Sequence, residues 1–116
     1  MKRFTINNKE YDYKEFGIDI MCQLEEANVS PLDMLKKPIS FVRTYFEICT
    51  GMNTDKANKE LEEHVINGGT FDEILDIINE DWEKSDFFQA WLKRTIENIK
   101  KLQEQLEENP EEITEV

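Results

Sequence analysis

Hydrophobic and polar residues alternate at the start of the chain. Phe4, Ile6, Tyr11 and Tyr13 are separated by polar residues at a period of two, the spacing of a strand with one buried face. Asn7-Asn8 lies between the two halves, and Asn tolerates the left-handed conformation of a tight turn. The pattern predicts a β-hairpin over about residues 3–15. A two-stranded hairpin is marginal alone, so its apolar face must meet helices or another chain.

From Asp19 the period becomes helical. Ile20, Met21, Leu24 and Ala27 form one stripe, and Asn28 is a stop signal. Ser30-Pro31 predicts a capped short helix carrying Leu32, Met34 and Leu35. Pro38 opens the next helix, where Phe41, Val42, Tyr45, Phe46 and Cys49 make a wide apolar stripe ended by Gly51. This helix is the expected centre of the core. Thr54 is read as the cap of a charged helix over Asp55–Ile66, with Leu61, Val65 and Ile66 apolar and Asn67-Gly68-Gly69 as its stop. Thr70-Phe71-Asp72-Glu73 matches a capping box ahead of Ile74, Leu75, Ile77 and Ile78. Asp81 to Asp86 is polar apart from Trp82 and predicts a bend. In the last helix Phe88, Leu92, Thr95, Ile99, Leu102 and Leu106 follow a heptad spacing, widened by Phe87, Trp91 and Ile96. The expected fold is mainly α: a compact bundle of five or six helices with a small N-terminal hairpin and a long C-terminal helix. Residues 1–106 make one domain, and the glutamate-rich 107–116 stretch around Pro110 is expected to be a disordered tail.

Charge narrows the function. Twenty-six acids against 14 bases give a net charge of -12 in 116 residues. Phosphate contacts need clustered Lys and Arg, so nucleic acid is not an expected partner, nor is an anionic membrane. The excess lies on the charged helix, the Asp72–Asp86 stretch and the tail, while the hairpin region is nearly balanced. With 39% hydrophobic residues, the chain still has the material for a core. No apolar run approaches the roughly 20 residues of a membrane span. Met1-Lys2-Arg3 leads into polar alternation without an apolar run, so secretion is not expected and a cytoplasmic location is. Cys22 and Cys49 read as buried thiols rather than a disulfide.

Catalytic and metal patterns are sparse. His64, the one histidine, follows Glu62 and Glu63 and reads as part of a solvated face. An EF-hand counted from Asp81 would need Gly at position 86 and Glu at position 92, which hold Asp86 and Leu92. Gly68-Gly69 lacks the Lys and Ser/Thr of a phosphate loop. No catalytic, cofactor or metal residue is therefore assigned, and an enzyme is not expected. Phe87, Phe88, Trp91 and Leu92 are dense for one turn. Core packing is their simplest reading; the other is a candidate groove for a partner segment, made with Phe41, Tyr45 and Phe46. The seam of Ile99 and Leu102 is open to the same two readings or to a second copy.

The order of these pieces resembles a known family. An F-T-I-N-x-K-E-Y hairpin precedes a helix with L-E-E, then S-P-L-D-M-L-x-K-P, an aromatic helix, a charged helix ending N-G-G, and T-F-D-E-I-L. Over about residues 1–100 this looks like the small tail assembly chaperones of long-tailed bacteriophages and prophages. The resemblance implies a protein that solubilises the tape measure protein until tail tube subunits polymerise around it, and that is absent from the virion. It implies the tape measure as partner and the tail tube protein as a second contact, with no catalytic residue to carry over. Self-association through the hairpin edge or the seam is compatible with the pattern. Two other classes compete: a generic acidic interaction adaptor, and a DNA mimic whose carboxylates imitate phosphates. The mimic needs acids concentrated on one structured face, whereas here they are mixed with Lys along the helices.

Overall fold

The computed structural model describes residues 2–108. Strands β1 (Arg3–Ile6) and β2 (Lys9–Asp12) pair antiparallel, with Phe4 opposite Tyr11 and Ile6 opposite Lys9. Asn7 and Asn8 take φ of 53° and 62°, the left-handed pair that a two-residue hairpin turn requires. Six helices follow: α1 (Ile18–Glu26), α2 (Asp33–Lys36), α3 (Pro38–Thr50), α4 (Thr54–Ile66), α5 (Asp72–Lys84) and α6 (Asp86–Glu108). The chain is thus mainly helical, with a small hairpin first and its longest helix last.

Helix α3 is the hub. Phe41, Tyr45 and Phe46 have no exposed surface, and Val42 has almost none. The hairpin lays Phe4, Ile6 and Tyr13 on α3, α4 and α5. Phe46 meets the rings of Phe4 and Tyr11 edge-on at 6.0 and 5.1 Å. Ile20, Met21 and Leu24 of α1 and Ile74, Ile78 and Trp82 of α5 close the core. At the end of α3, Gly51 has φ 74°, the left-handed stop that lets the chain turn into α4.

Several local expectations shift by a residue or a partner. Asn53, not Thr54, caps α4: its Oδ1 accepts from the Lys56 amide at 2.8 Å, while the Thr54 hydroxyl donates to Glu47. Ser30 does not cap α2, whose N-cap is Leu32; its Oγ accepts from the Leu32 amide in the turn ahead of the helix, and the Asp33 carboxylate accepts from the Ser30 amide. The capping box at Thr70 does not close, because Glu73 accepts from the Thr5 amide on the hairpin instead. The bend expected over Asp81–Asp86 contracts to one residue. α5 runs through Lys84, and Ser85 breaks it and caps α6 by accepting from the Phe88 amide. Glu107 and Glu108, expected in a disordered tail, belong to α6. The rest of that expectation, 109–116, lies outside the described residues.

The molecule measures 54 × 30 × 23 Å with a radius of gyration of 17.2 Å. A compact domain of this length would have a radius near ~13 Å. The excess comes from α6. Its first turns lie on α5, and from Ile96 to Leu106 every residue is exposed.

Candidate interaction surfaces

The most polar part of the interior is a set of clamps. Tyr13 donates to the Asp81 carboxylate at 2.6 Å, and the Phe16 amide donates to the same oxygen at 2.7 Å. The Tyr45 hydroxyl lies 3.0 Å from both the Lys14 carbonyl and the Tyr13 oxygen. Its single proton serves one of these acceptors at a time. Burial pushes the hydroxyl pKa of both tyrosines well above the ordinary phenol value, Tyr13 further than Tyr45. Neutral phenols aimed at a backbone carbonyl and a carboxylate fasten the hairpin exit to α3 and α5. Asp81, expected in a solvated turn, is in fact a half-buried acceptor on α5.

A second clamp holds the hairpin turn. His64 Nδ1 accepts from the Asn7 amide at 2.9 Å, and Nε2 lies 2.7 Å from the Thr70 carbonyl, so Nε2 carries the proton. The ring stacks on Phe71 at 5.9 Å. It also lies so close to Gly69 that a side chain there would collide with it. His64 is therefore half-buried and structural, not part of a solvated face. Its partner on the hairpin is 57 residues away, and nothing beside it in sequence indicates that contact. Glu60, only 7% exposed, accepts from the Asn7 side-chain amide and from Lys9 Nζ. Those bonds, Asn7's first, hold its carboxyl below the usual value against the opposing effect of burial.

The thiols are both free. Cys22 is exposed, against expectation, while Cys49 is half-buried and burial pushes its pKa up to about 11. Among the described residues, no group of three or more His, Cys, Asp or Glu side chains is arranged to hold a metal ion. Among the described residues, no helix is long and apolar enough to cross a membrane.

The groove predicted between the aromatic helices does not exist. Phe41 and Tyr45 are fully buried, as is Phe46, and Phe88 is 6% exposed. All four are used by the chain's own core. Phe87 stacks on Phe16 at 5.9 Å, and Trp91 and Leu92 pack half-buried at the core edge. These side chains seal α6 onto Phe16 and Trp82, whose ring stacks on Phe88 at 4.4 Å. Of the candidate partner-binding residues, Ile99 and Leu102 stand clear of the fold, 42% and 59% exposed.

The structure opens a groove elsewhere. On the outer face of α3 and α4, Ile39, Arg43, Leu61, Val65, Ile66 and Phe71 line a depression of about 580 Å³. Ile39 is 65% exposed and Ile66 78%. Arg43 Nη1 lies 3.5 Å from Asn58 Oδ1, a long contact, and its buried Nε has no partner. Of the three apolar residues that the sequence offers on α4, Val65 and Ile66 lie outside its core face, which is made by Ala57, Glu60 and Leu61. A buried glutamate in place of an apolar residue hid the stripe.

Surface charge is mixed. Lys2 pairs with Glu80, Arg3 with Asp12 and Glu10, and Lys9 with Glu60. Comparison with family models, curated proteins and solved structures yields no match.

Proposed function

We propose that this protein is a tail assembly chaperone that holds an apolar helical client, the tape measure protein, in soluble form in the host cytoplasm. The observation that carries the reading is that a chain of net charge -12 leaves an apolar groove open between α3 and α4. Helix-in-groove recognition places apolar residues of an amphipathic helix at i, i+3, i+4 and i+7 into such a depression. The groove supplies Ile39, Val65, Ile66 and Phe71 for those anchors. Each fully buried anchor of Leu or Phe size contributes roughly 1.5–3 kcal/mol before the costs of association. Many weak contacts along one long client give avidity, yet release one at a time as tube subunits displace them. The acidic outer surface keeps the loaded complex apart from its neighbours. The order of hairpin, caps and aromatic helix supports the same reading through the family resemblance. The mixed ion pairs on the hairpin and α5 favour it over a DNA mimic, which needs one continuous acidic face. No residue in this role performs chemistry, and the reading is that of a non-enzyme.

The test is to co-express the tape measure protein with this chain and with its Ile39→Asp/Ile66→Asn variant. The native chain should keep the client in the supernatant, and the variant should not. Both substituted positions are exposed, so the variant should fold normally. A client that is equally insoluble with and without the native chain would overturn the proposal.

A further inference from the structure

The groove is not the one apolar surface left open. We propose that the C-terminal half of α6 pairs with the same segment of a second copy of this chain, making a seam-to-seam homodimer independent of the client groove. Leu92, Ile99 and Leu106 stand at heptad positions a, and Phe88, Thr95 and Leu102 at positions d. The first turn of this seam is sealed on α5. The remainder is not: Ile96, Ile99, Leu102 and Leu106 are 42%, 42%, 59% and 45% exposed. An a/d seam is complementary to an identical seam, which is the condition for a two-fold contact in which each copy presents one patch. In its exposed part, Ile99 at position a is followed by Leu102 at position d, the combination that favours two strands.

Charge selects the occupant. Copies of a chain at -12 repel one another unless they meet where charge is balanced. Along α6 four bases, Lys93, Arg94, Lys100 and Lys101, stand against five acids, Asp86, Glu97, Glu104, Glu107 and Glu108, close to balance for so acidic a chain. All six charged residues from Lys93 to Glu104 fall at positions b, c and f, away from the seam. The flanking e and g positions hold Ile96 and Gln103 on one side and Asn98 and Gln105 on the other. Those positions ordinarily choose a partner by charge. Here they offer nothing to recognise a charged stranger and nothing to repel a copy. The overhanging segment also has little reason to be helical alone, because a helix of about 12–15 residues without tertiary contacts is marginal in water. A second copy supplies the missing contacts. Leu92 to Leu106 spans only ~22 Å, so the dimer is a weak one that depends on protein concentration.

Analytical ultracentrifugation of the full chain over about a hundredfold concentration range tests this by mass action. The native chain should move from monomer to dimer mass. The Ile99→Asp/Leu102→Asp variant should stay monomeric throughout with an unchanged near-ultraviolet circular dichroism spectrum. Ile99→Asn/Leu102→Ser, a milder pair, should shift the midpoint at least tenfold upward. A native chain that is monomeric at the highest concentration overturns the proposal, as does a double-Asp variant that still dimerises or loses its tertiary spectrum. The readout needs no client. A dimer that forms while the client stays insoluble would sink the chaperone reading alone, and a monomer that holds the client would sink the dimer alone.

Discussion

Residues 3–13 and residues 96–106 each carry four large apolar side chains in eleven positions. In the first segment, Phe4, Ile6 and Tyr13 are buried and Tyr11 is half-buried. In the second, none of the four apolar residues is buried. Apolar content does not separate them; long-range polar contacts do. The hairpin segment is fixed by Glu73 at Thr5, His64 and Glu60 at Asn7, Glu60 at Lys9 and Asp81 at Tyr13. No hydrogen bond to another element reaches 96–106 among the described side chains. One segment holds the monomer together, and the other is free to serve an interface.

The contrast can be broken most forcefully in the core. Phe4→Ala removes a ring that touches Tyr11 and Phe46, and should cost about 3–5 kcal/mol in urea unfolding. A loss below 1 kcal/mol would mean that the hairpin is not part of the core. Alkaline titration comes next. Tyr13 and Tyr45 hold their protons in the fold above the ordinary value of 10.0. The unfolded chain therefore releases protons first, and stability should fall as pH rises past 10, by about 1.4 kcal/mol per pH unit for each phenol. Cys49, held up to about 11, adds to the fall in the same window, so Tyr45→Phe should remove about a third of the measured slope, and a flat profile between pH 10 and 11 would contradict the buried network. Asp81→Ala strands the Phe16 amide and leaves the Tyr13 hydroxyl with Tyr45 alone, and should cost about 1–3 kcal/mol. The smallest effect belongs to the other segment: Leu102→Ala in dilute protein should change unfolding by no more than about 0.5 kcal/mol.

Local signals made much of the fold legible. Alternation and Asn7-Asn8 specify the hairpin, and Pro38 with Gly51 brackets α3. The heptad spacing gives α6 its length. Harder to read was which partner each apolar residue meets. Phe41 and Tyr45 look as suited to a groove as to a core, and only the arrival of the hairpin and α5 decides between them. Val65 and Ile66 follow helical spacing, but buried Ala57 and Glu60 turn α4 the other way. His64 and Asp81 looked solvated because their neighbours are acidic, while the N-terminal groups they hold lie 57 to 68 residues away. Capping residues adjacent in sequence, as at Asn53-Thr54 and Thr70-Glu73, left the choice of cap to tertiary contacts. The seam was visible from spacing, and its exposure was not.

Hydrogen exchange at two protein concentrations tests the division most directly. In dilute protein, the amides of 99–106 should exchange within the dead time of the measurement, and those of β1 and β2 should be protected by close to the full unfolding free energy. Raising the concentration should slow exchange in 99–106 and leave the strands unchanged. Protection of 99–106 in dilute protein equal to that of the hairpin would show that the seam belongs to the monomer, and would contradict the account.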